Sequence, residues 1–274
     1  MILWGLYDMI GKLIVFEGTD GCGKSTLCKK TKEYLESLGK KTEVIALPYE
    51  QSMLYSQIRD ILKTNSVSPD VIQSMMIANM KDCINTKVVH LLSQGTNVIL
   101  DRWLLSTIIY SILGNGHICE SMAINYNCHH TDSLKTYFRP TIDLEFASKN
   151  FAECDVYPNK IFYIVPPTDL LVSHAKARAA MKDAEFNDTN IEGIIASNNL
   201  YIDMYMAINE NLVDFNGYHI IDNTSTFTSE CNHILVSANQ KSENLSESDL
   251  YKVFQDQIFT SIDTLMGIDI ACDN

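Results

Sequence analysis

The sequence predicts an α/β fold in which a parallel sheet carries helices on both of its faces. Short apolar segments alternate with longer segments of helical periodicity along most of the chain, which is typical of this class. A glycine-rich turn joins the first apolar segment to the first helical one, and another apolar segment ends at the carboxylate of Asp101. Because parallel strands present their carboxyl ends at one edge of the sheet, we expect the turn and Asp101 to lie close together.

The apolar segments provide five candidate strands. Each is short and is bounded by residues that end a strand, such as Pro48 and Pro166. The predicted strands are residues 12–17, 42–47, 97–100, 160–165 and 218–221.

Helical periodicity fills most of the remaining chain. For the longest of these segments, Ser68 is a candidate N-cap and Gly95 is a C-terminal stop. The predicted helices are residues 25–38, 51–63, 69–92, 104–113, 168–182, 191–213, 230–239 and 249–266.

Two segments stand apart from this alternation. Residues 114–159 mix Gly, Asn, His, Cys and aromatic side chains without a sustained period, so we interpret them as an insertion with partial structure. Residues 240–247 are polar and are predicted to be a linker before the last helix. We therefore expect a single domain over residues 1–274, with the insertion at 114–159 and a helical extension at 240–274.

Composition and charge exclude several classes of function. The chain has 274 residues, 46% of them hydrophobic, which is enough for a sizeable core. Its net charge of −13 argues against a general affinity for nucleic acid or anionic membrane, but not against nucleotides, which need only a local basic pocket. Eight cysteines without regular spacing favour reduced thiols, and neither a membrane span nor a signal peptide is evident. These features predict a cytoplasmic protein.

The glycine-rich turn has the spacing of a phosphate-binding loop (P-loop). Gly18 is followed, after four residues, by Gly23, Lys24 and Ser25, between a predicted strand and a predicted helix. Glycines at these positions let backbone N–H groups converge on a phosphate, while Lys24 adds a charge for the β- and γ-phosphates and Ser25 a hydroxyl for Mg²⁺. The alternative is a plain glycine turn before a helix. The predicted ATP contacts are Gly18, Gly21, Cys22, Gly23, Lys24, Ser25 and Thr26.

Asp101 and Arg102 follow the apolar run of the third predicted strand. A carboxylate at this strand end is suited to Mg²⁺ binding beside the loop, and its alternative role is a strand-end cap. The guanidinium of Arg102 could clamp a second phosphate with two parallel hydrogen bonds, or form a surface salt bridge.

Several stretches of the chain are shared with one known family. They are FEGTDGCGKST at 16–26, LSQG at 92–95, DRW at 101–103 with Ser106 and Tyr110 beyond it, KIFYIVPP at 160–167 and LLVSHAKAR at 170–178. With these motifs at these spacings the chain resembles thymidylate kinase over residues 9–221. The loop alone indicates only phosphate binding, whereas the loop together with the Asp-Arg-aromatic element is more specific for this group.

The resemblance implies a P-loop NTPase-type fold with five parallel strands, and transfer of the ATP γ-phosphoryl group to a nucleoside monophosphate with Mg²⁺. It also implies nucleotide substrates as partners and a homodimer. By this likeness Asp20 would approach the sugar and phosphate of the acceptor. Arg102 would hold the acceptor phosphate, and Ser106 and Tyr110 would line the acceptor pocket.

A basic helix face is expected to complete the site. The loop lacks the arginine that some family members carry beside Asp20, and such members use basic residues of a lid instead. His174, Arg178 and Lys182 are spaced four apart on one helix face. We expect Arg178 to reach the transferring phosphoryl group. The alternative is a solvated basic face.

The acceptor side departs from the family pattern. The chain reads Ala46, Leu47 and Pro48 where the family has Arg-Phe-Pro, so an arginine contact to the acceptor phosphate is missing. The base-stacking phenylalanine falls on Ile77 and the base-contacting arginine on Lys81, and neither replacement reproduces the original contact. We therefore expect the acceptor to be a dTMP-like or modified pyrimidine deoxynucleotide.

Other possibilities remain open at this point. A kinase of the same fold could act on another acceptor, such as a nucleoside or a modified base, although deoxynucleoside kinases generally carry a glutamate where this chain has Asp101. A nucleotide-binding interaction protein without catalysis is the second alternative. The insertion also holds possible zinc ligands, but no paired C-x-x-C spacing supports a zinc site. These residues are His117, Cys119, Cys128, His129, His130 and Cys154.

Overall fold

The sheet is parallel throughout and has five strands. A computed structural model describes residues 11–64, 67–112, 156–180, 191–209, 232–237 and 245–268. The strands are β1 (Leu13–Glu17), β2 (Thr42–Ala46), β3 (Asn97–Asp101), β4 (Lys160–Val165) and β5 (Asn232–Ser237). Their order across the sheet is β2-β3-β1-β4-β5, which places β1 at the centre.

Eight α-helices are described in these ranges. They are α1 (Lys24–Ser37), α2 (Tyr55–Thr64), α3 (Pro69–Cys83), α4 (Val89–Ser93), α5 (Leu104–Ile112), α6 (Thr168–Ala179), α7 (Ile191–Asn209) and α8 (Glu247–Met266). A π-helical segment, Ile84–Val88, joins α3 to α4. The predicted long helix at 69–92 is therefore one continuous helical run whose hydrogen-bonding pattern changes in its middle.

The alternation of side chains along β1 explains why both faces of the sheet are covered. Leu13 and Val15 point into a core formed with α3, α4, α5 and α7, which includes Met80 and Tyr201. Ile14 and Phe16 point into a second core formed with α1, α6 and α8, which includes Phe254. Since every side chain of β1 is buried, the strand is apolar without interruption up to its last residue. The three-layer α/β fold expected from the sequence is confirmed.

The fifth strand is the main correction to the predicted elements. We expected a helix over residues 230–239, but this segment contains β5, which pairs in parallel with β4 along its whole length. Its run of Ile234, Leu235 and Val236 is typical of a buried strand and outweighs the weak helical spacing around it. The strand predicted at 218–221 lies outside the described residues.

Smaller differences concern the ends of elements. The second helix begins at Tyr55 rather than at residue 51, and β3 extends by one residue to include Asp101. The last helix begins at Glu247, where the Ser246 side chain accepts a hydrogen bond from the Asp249 N–H and caps the helix. Residues 210–213 and Lys182, at the predicted ends of two helices, lie outside the described residues.

The expected insertion falls almost entirely outside the described residues. Of residues 114–159, only 156–159 are described, and there Asn159 Oδ1 accepts a hydrogen bond of 2.8 Å from the Leu13 N–H. All six possible zinc ligands lie in the undescribed part. Within the described ranges, no group of three or more His, Cys, Asp or Glu side chains could hold a metal ion. Nor does any helix in those ranges have the length and apolar character needed to cross a membrane.

Candidate functional site

The glycine-rich turn forms a loop at the centre of the sheet, between β1 and the first turn of α1. Gly21 and Gly23 have φ angles of 80° and 88°, in the left-handed region that favours glycine. Gly23 also immediately precedes α1 and accepts the first backbone hydrogen bond of that helix, from Leu27 N–H. The loop therefore opens onto the positive end of a 14-residue helix, which is a favourable position for an anion.

Lys24 folds back into this loop. Its side chain is almost fully buried, and Nζ donates a hydrogen bond of 2.7 Å to the Thr19 carbonyl oxygen. Nζ also lies 3.5 Å from the Cys22 sulfur. A buried ammonium group with a single backbone oxygen acceptor retains donors for other acceptors, and its role in phosphate binding stays a prediction.

Ser25 and Asp101 meet across the edge of the sheet. The Ser25 hydroxyl donates a hydrogen bond of 2.6 Å to Asp101 Oδ2, and Asp101 is buried at the end of β3 while Ser25 is exposed at the start of α1. A hydroxyl and a carboxylate are hard oxygen ligands of the kind that Mg²⁺ prefers. Two protein ligands also suit Mg²⁺, because this ion usually keeps several waters and binds substrate phosphates in addition.

Arg102 is held in an unusual backbone conformation beside the loop. Its φ angle is 84°, the only positive value at a non-glycine residue in the described ranges. Such a conformation costs about 1–3 kcal/mol and persists where the surrounding contacts enforce it. Here Nη1 donates to the Gly18 carbonyl at 3.2 Å and to the Ser106 hydroxyl at 3.1 Å. The strained turn thus aims the guanidinium at the mouth of the loop.

Arg102 also forms an ion pair with Asp20, and Tyr110 completes this cluster. Nη2 of Arg102 donates to Asp20 Oδ1, and the Tyr110 hydroxyl donates to Asp20 Oδ2 at 2.7 Å. The guanidinium also lies 5.2 Å from the centre of the Tyr110 ring. Burial would raise the pKa of Asp20, but the charges of Arg102 and Lys24 outweigh it and lower the pKa to about 2. The Asp20 carboxylate is therefore ionised at neutral pH.

Glu17, which the sequence analysis did not single out, forms hydrogen bonds to residues that follow Arg102 in the chain. It is fully buried at the end of β1 and accepts hydrogen bonds from the Trp103 N–H at 2.9 Å and the Ser106 hydroxyl at 2.5 Å. The Tyr201 hydroxyl donates to it at 3.2 Å. Burial raises the pKa of Glu17 against the opposing effect of these hydrogen bonds. A charged residue inside an otherwise apolar strand was the signal that could have identified it.

The basic helix face lies against the loop, as expected. An ideal Cβ at Gly21 would lie 2.7 Å from Nη2 of Arg178, so this guanidinium sits directly beside the loop backbone. His174 Nδ1 lies 2.8 Å from the Gly21 carbonyl oxygen. Lys176 is exposed, and Lys182 lies outside the described residues. The structure thus brings His174 and Arg178 to the loop, while the role of Arg178 stays a prediction.

The C-terminal helix also contacts the loop, which the sequence analysis did not foresee. The Tyr251 hydroxyl of α8 donates a hydrogen bond of 3.2 Å to the Cys22 carbonyl oxygen, and Glu247 Oε1 lies 2.8 Å from His174 Nε2. No loop motif predicts these partners, because they lie more than 200 residues further along the chain. Of the remaining loop residues, Cys22 is buried and Thr26 is exposed on α1.

Further expected acceptor residues follow the second strand or lie on α3. Pro48 follows a cis peptide bond after Leu47, and the next residue, Tyr49, is held by Asn79 of α3 through hydrogen bonds of 2.6 and 3.1 Å to its backbone. Ile77 is buried with 2% exposure, and Lys81 is half-buried. The structure therefore ties α3 to the turn after β2 through Asn79.

The sequence of this region matches a known family. The family model described as thymidylate kinase matches residues 16–130. A thymidylate kinase of Thermoanaerobacter sp. is 34% identical over 118 residues, which cover 42% of this chain and 58% of that protein. A thymidylate kinase of Thermosipho africanus is 27% identical over 215 residues, covering 77% of this chain and 92% of that protein. This chain therefore spans somewhat more than half the length of the Thermoanaerobacter protein.

A solved structure shares the fold. The thymidylate kinase of Candida albicans superposes with a TM-score of 0.56 at 16% sequence identity, and the match covers 94% of each chain. At this identity the likeness concerns the fold alone. It agrees with the α/β fold described above, with its five-stranded parallel sheet.

Proposed function

We propose that the chain is a member of the thymidylate kinase family and that it transfers the γ-phosphoryl group of ATP to a deoxynucleoside monophosphate, giving the diphosphate. One observation carries the proposal. The phosphate loop and the Asp101–Arg102 turn are joined by direct contacts, of 2.6 Å between Ser25 and Asp101 and of 3.2 Å between Arg102 and the Gly18 carbonyl. Groups suited to a donor and to an acceptor phosphate thus converge at one edge of the sheet.

In this proposal the donor phosphates lie in the loop. Backbone N–H groups and Lys24 would bind the β- and γ-phosphates, and Ser25 with Asp101 would hold Mg²⁺. The metal ion, when bound, neutralises charge on the phosphate oxygens. An oxygen of the acceptor phosphate attacks the γ-phosphorus as the bond to the β-phosphate oxygen breaks, and ADP leaves. Arg178, which lies beside Gly21, would offset the charge that develops on the transferring group.

The acceptor phosphate would bind at Arg102. Its guanidinium has a planar set of donors, and it already holds the Asp20 carboxylate in the geometry that a phosphate oxygen would take. Tyr110 and Ser106 both lie next to this guanidinium and would contact the acceptor. Because residues 46–47 supply no arginine and Ile77 no aromatic ring, we propose a dTMP-like or modified pyrimidine deoxynucleotide as the acceptor. A homodimer and a cytoplasmic location stay predictions.

A coupled ADP-release assay with ATP, Mg²⁺ and a panel of nucleoside monophosphates tests this proposal. We expect stimulation by one pyrimidine deoxynucleotide, and we expect Lys24→Ala to lower kcat by about 100-fold or more. Lys29→Ala is the matched control, since Lys29 is an exposed lysine on the same helix. Slow ATP turnover that no acceptor stimulates, and that Lys24→Ala leaves unchanged, would contradict the proposal and favour a nucleotide-binding protein without catalysis.

A further inference from the structure

We propose that Tyr251 and the His174–Glu247 pair are positioning residues that hold the phosphate loop in its phosphate-binding conformation. They contact two backbone carbonyl groups on the outer side of the loop, at Cys22 and Gly21. The inference rests on the proposed function only in that the loop binds the phosphates of a nucleotide. It assigns a role to α8, which lies outside the part of the chain that the family model matches.

Peptide geometry explains how a hydrogen bond to a carbonyl on the outer side of the loop orients an N–H group towards its inner side. In a trans peptide, the carbonyl of one residue and the N–H of the next belong to one rigid plane and point in opposite directions. A donor that holds the Cys22 carbonyl outward therefore turns the Gly23 N–H inward. In the same way, a donor on the Gly21 carbonyl turns the Cys22 N–H inward. These two N–H groups belong to the set that would bind phosphate.

Tyr251 is placed to hold the first of these peptides. Its hydroxyl donates to the Cys22 carbonyl at 3.2 Å, and its ring lies close to the loop at Gly23. An ideal Cβ at Gly23 would lie 2.3 Å from both the hydroxyl oxygen and Cε1 of Tyr251, so any side chain there would displace the ring. Burial raises the pKa of Tyr251, and the hydroxyl therefore stays protonated and acts as a donor.

His174 links the second peptide to the same helix. Its two ring nitrogens each lie 2.8 Å from an acceptor, the Gly21 carbonyl on one side and Glu247 Oε1 on the other. Because both partners accept, the ring makes both hydrogen bonds when it carries both of its protons. The imidazole also stacks on the Tyr251 ring, with 6.4 Å between centroids and an angle of 12° between the planes. Residues near the start of α8 and a histidine of α6 therefore contact the loop and each other.

The rest of α8 is anchored independently of the loop. Phe254, Ile258 and Ile262 are fully buried against the sheet. At the far end of α8, the Phe259 ring stacks on Tyr34 of α1 at 4.1 Å, and the Tyr34 hydroxyl donates to Asp263 at 2.5 Å. Removal of the Tyr251 hydroxyl should therefore leave the helix in place. It should affect the loop rather than the fold.

Titration calorimetry with ADP on the purified full chain tests the inference. We expect Tyr251→Phe to weaken ADP binding by about 5-fold, the effect of one neutral hydrogen bond, while the KM of the acceptor stays unchanged. The matched control is Tyr34→Phe, which removes a tyrosine hydrogen bond between α1 and α8 far from the loop. We expect this control to lower the melting temperature and to leave ADP affinity unchanged.

Two outcomes overturn the inference. Tyr251→Phe could bind ADP as tightly as the wild-type chain, or Tyr34→Phe could weaken binding by the same factor, which would indicate a general effect of α8 on stability. A failure of the proposed function would look different, because the wild-type chain would then bind ADP but phosphorylate no nucleoside monophosphate. A wild-type chain that binds no nucleotide would contradict both.

Discussion

The proposed donor half and the proposed acceptor half of the site are built from different kinds of group. The donor half consists of Gly18, residues 21–26 and Asp101, and most of its contacts are made to backbone carbonyls or lie at a helix terminus. In the acceptor half, which consists of Asp20, Arg102, Ser106 and Tyr110, side chains contact side chains. A backbone cradle suits any phosphate, whereas a side-chain cluster selects its ligand, so the second half is where substrate choice should reside.

The two halves also differ in how their charges are balanced. In the donor half, Lys24 makes its hydrogen bond with a neutral carbonyl, so its charge is available to an anion. In the acceptor half, Arg102 is already paired with the ionised Asp20. An incoming acceptor phosphate therefore has to share or replace the Asp20 carboxylate. Asp20 would then discriminate between acceptors by the charge and geometry that they bring.

Among the changes proposed here, Arg102→Lys should give the largest difference between its effect on the acceptor and its effect on ADP binding. Lysine retains the charge but loses the fork that contacts Gly18, Ser106 and Asp20 together. We expect kcat/KM for the acceptor to fall by about 100-fold, with ADP affinity changed by about 2-fold or less. Steady-state kinetics with each substrate varied, together with calorimetry of ADP binding, measure both quantities. Equal losses on the two sides would show that the halves are not separable.

A change at the proposed metal ligands should act on the donor half alone. Ser25→Ala removes the hydroxyl that contacts Asp101, and we expect the Mg²⁺ concentration for half-maximal activity to rise by about 10-fold. The acceptor KM should stay constant. Ser37→Ala, at the other end of the same helix, serves as the control. If the Mg²⁺ dependence of Ser25→Ala matched that of the control, Ser25 would not be a ligand.

Glu17 supports the acceptor half, so its replacement should affect stability and acceptor binding together. In Glu17→Gln, an NH2 group replaces one of the two oxygens, so either the Trp103 N–H, which donates to Oε1, or the Ser106 hydroxyl, which donates to Oε2, loses its acceptor. We expect the free energy of unfolding to fall by about 1–3 kcal/mol, and the acceptor KM to rise more than the ADP dissociation constant. Thermal denaturation and kinetics measure these effects. An unchanged melting temperature would contradict the role given to Glu17.

One effect of pH on the stability of the fold should arise outside both halves of the site, at His233. Burial lowers the pKa of His233 in β5 from 6.5 to about 4, so the folded chain holds this ring neutral while the unfolded chain takes up a proton. Stability should therefore decrease as the pH falls from 6.5 towards 4, by about 1–3 kcal/mol.

Denaturant unfolding at several pH values checks this effect, with His233→Gln as the comparison. The variant should lose less stability over the same interval than the wild-type chain. An identical pH dependence in the two proteins would show that His233 remains exposed enough to be protonated in the folded state.

The contrast between local motifs and contacts of distant residues explains what the sequence could predict. The loop between β1 and α1 is a local motif, so its glycines, Lys24 and Ser25 were identified from spacing alone. Asp101 and Arg102 followed from a strand end and from the family likeness. Strand β5 was missed, because a short apolar run of this kind fits both a buried strand and part of a helix when only its spacing is considered.

The contacts that depend on distant residues could not be predicted. Glu17 is a charged residue in an apolar strand, and only the fold shows that Ser106 and Tyr201 surround it. Tyr251 lies 229 positions from the carbonyl that it contacts, on a helix whose sequence indicates only an amphipathic surface. Such contacts follow from the packing of α8 on α1, which no local pattern encodes.

Transfer of label from ATP labelled on its γ-phosphate tests the central claim most directly. The purified chain would be incubated with Mg²⁺ and single pyrimidine deoxynucleotides, and the products separated by chromatography. The account predicts label in one deoxynucleoside diphosphate, with none when Lys24→Ala replaces the wild-type chain. Label that appears only as inorganic phosphate, or remains in ATP with every acceptor while ADP still binds, would contradict it.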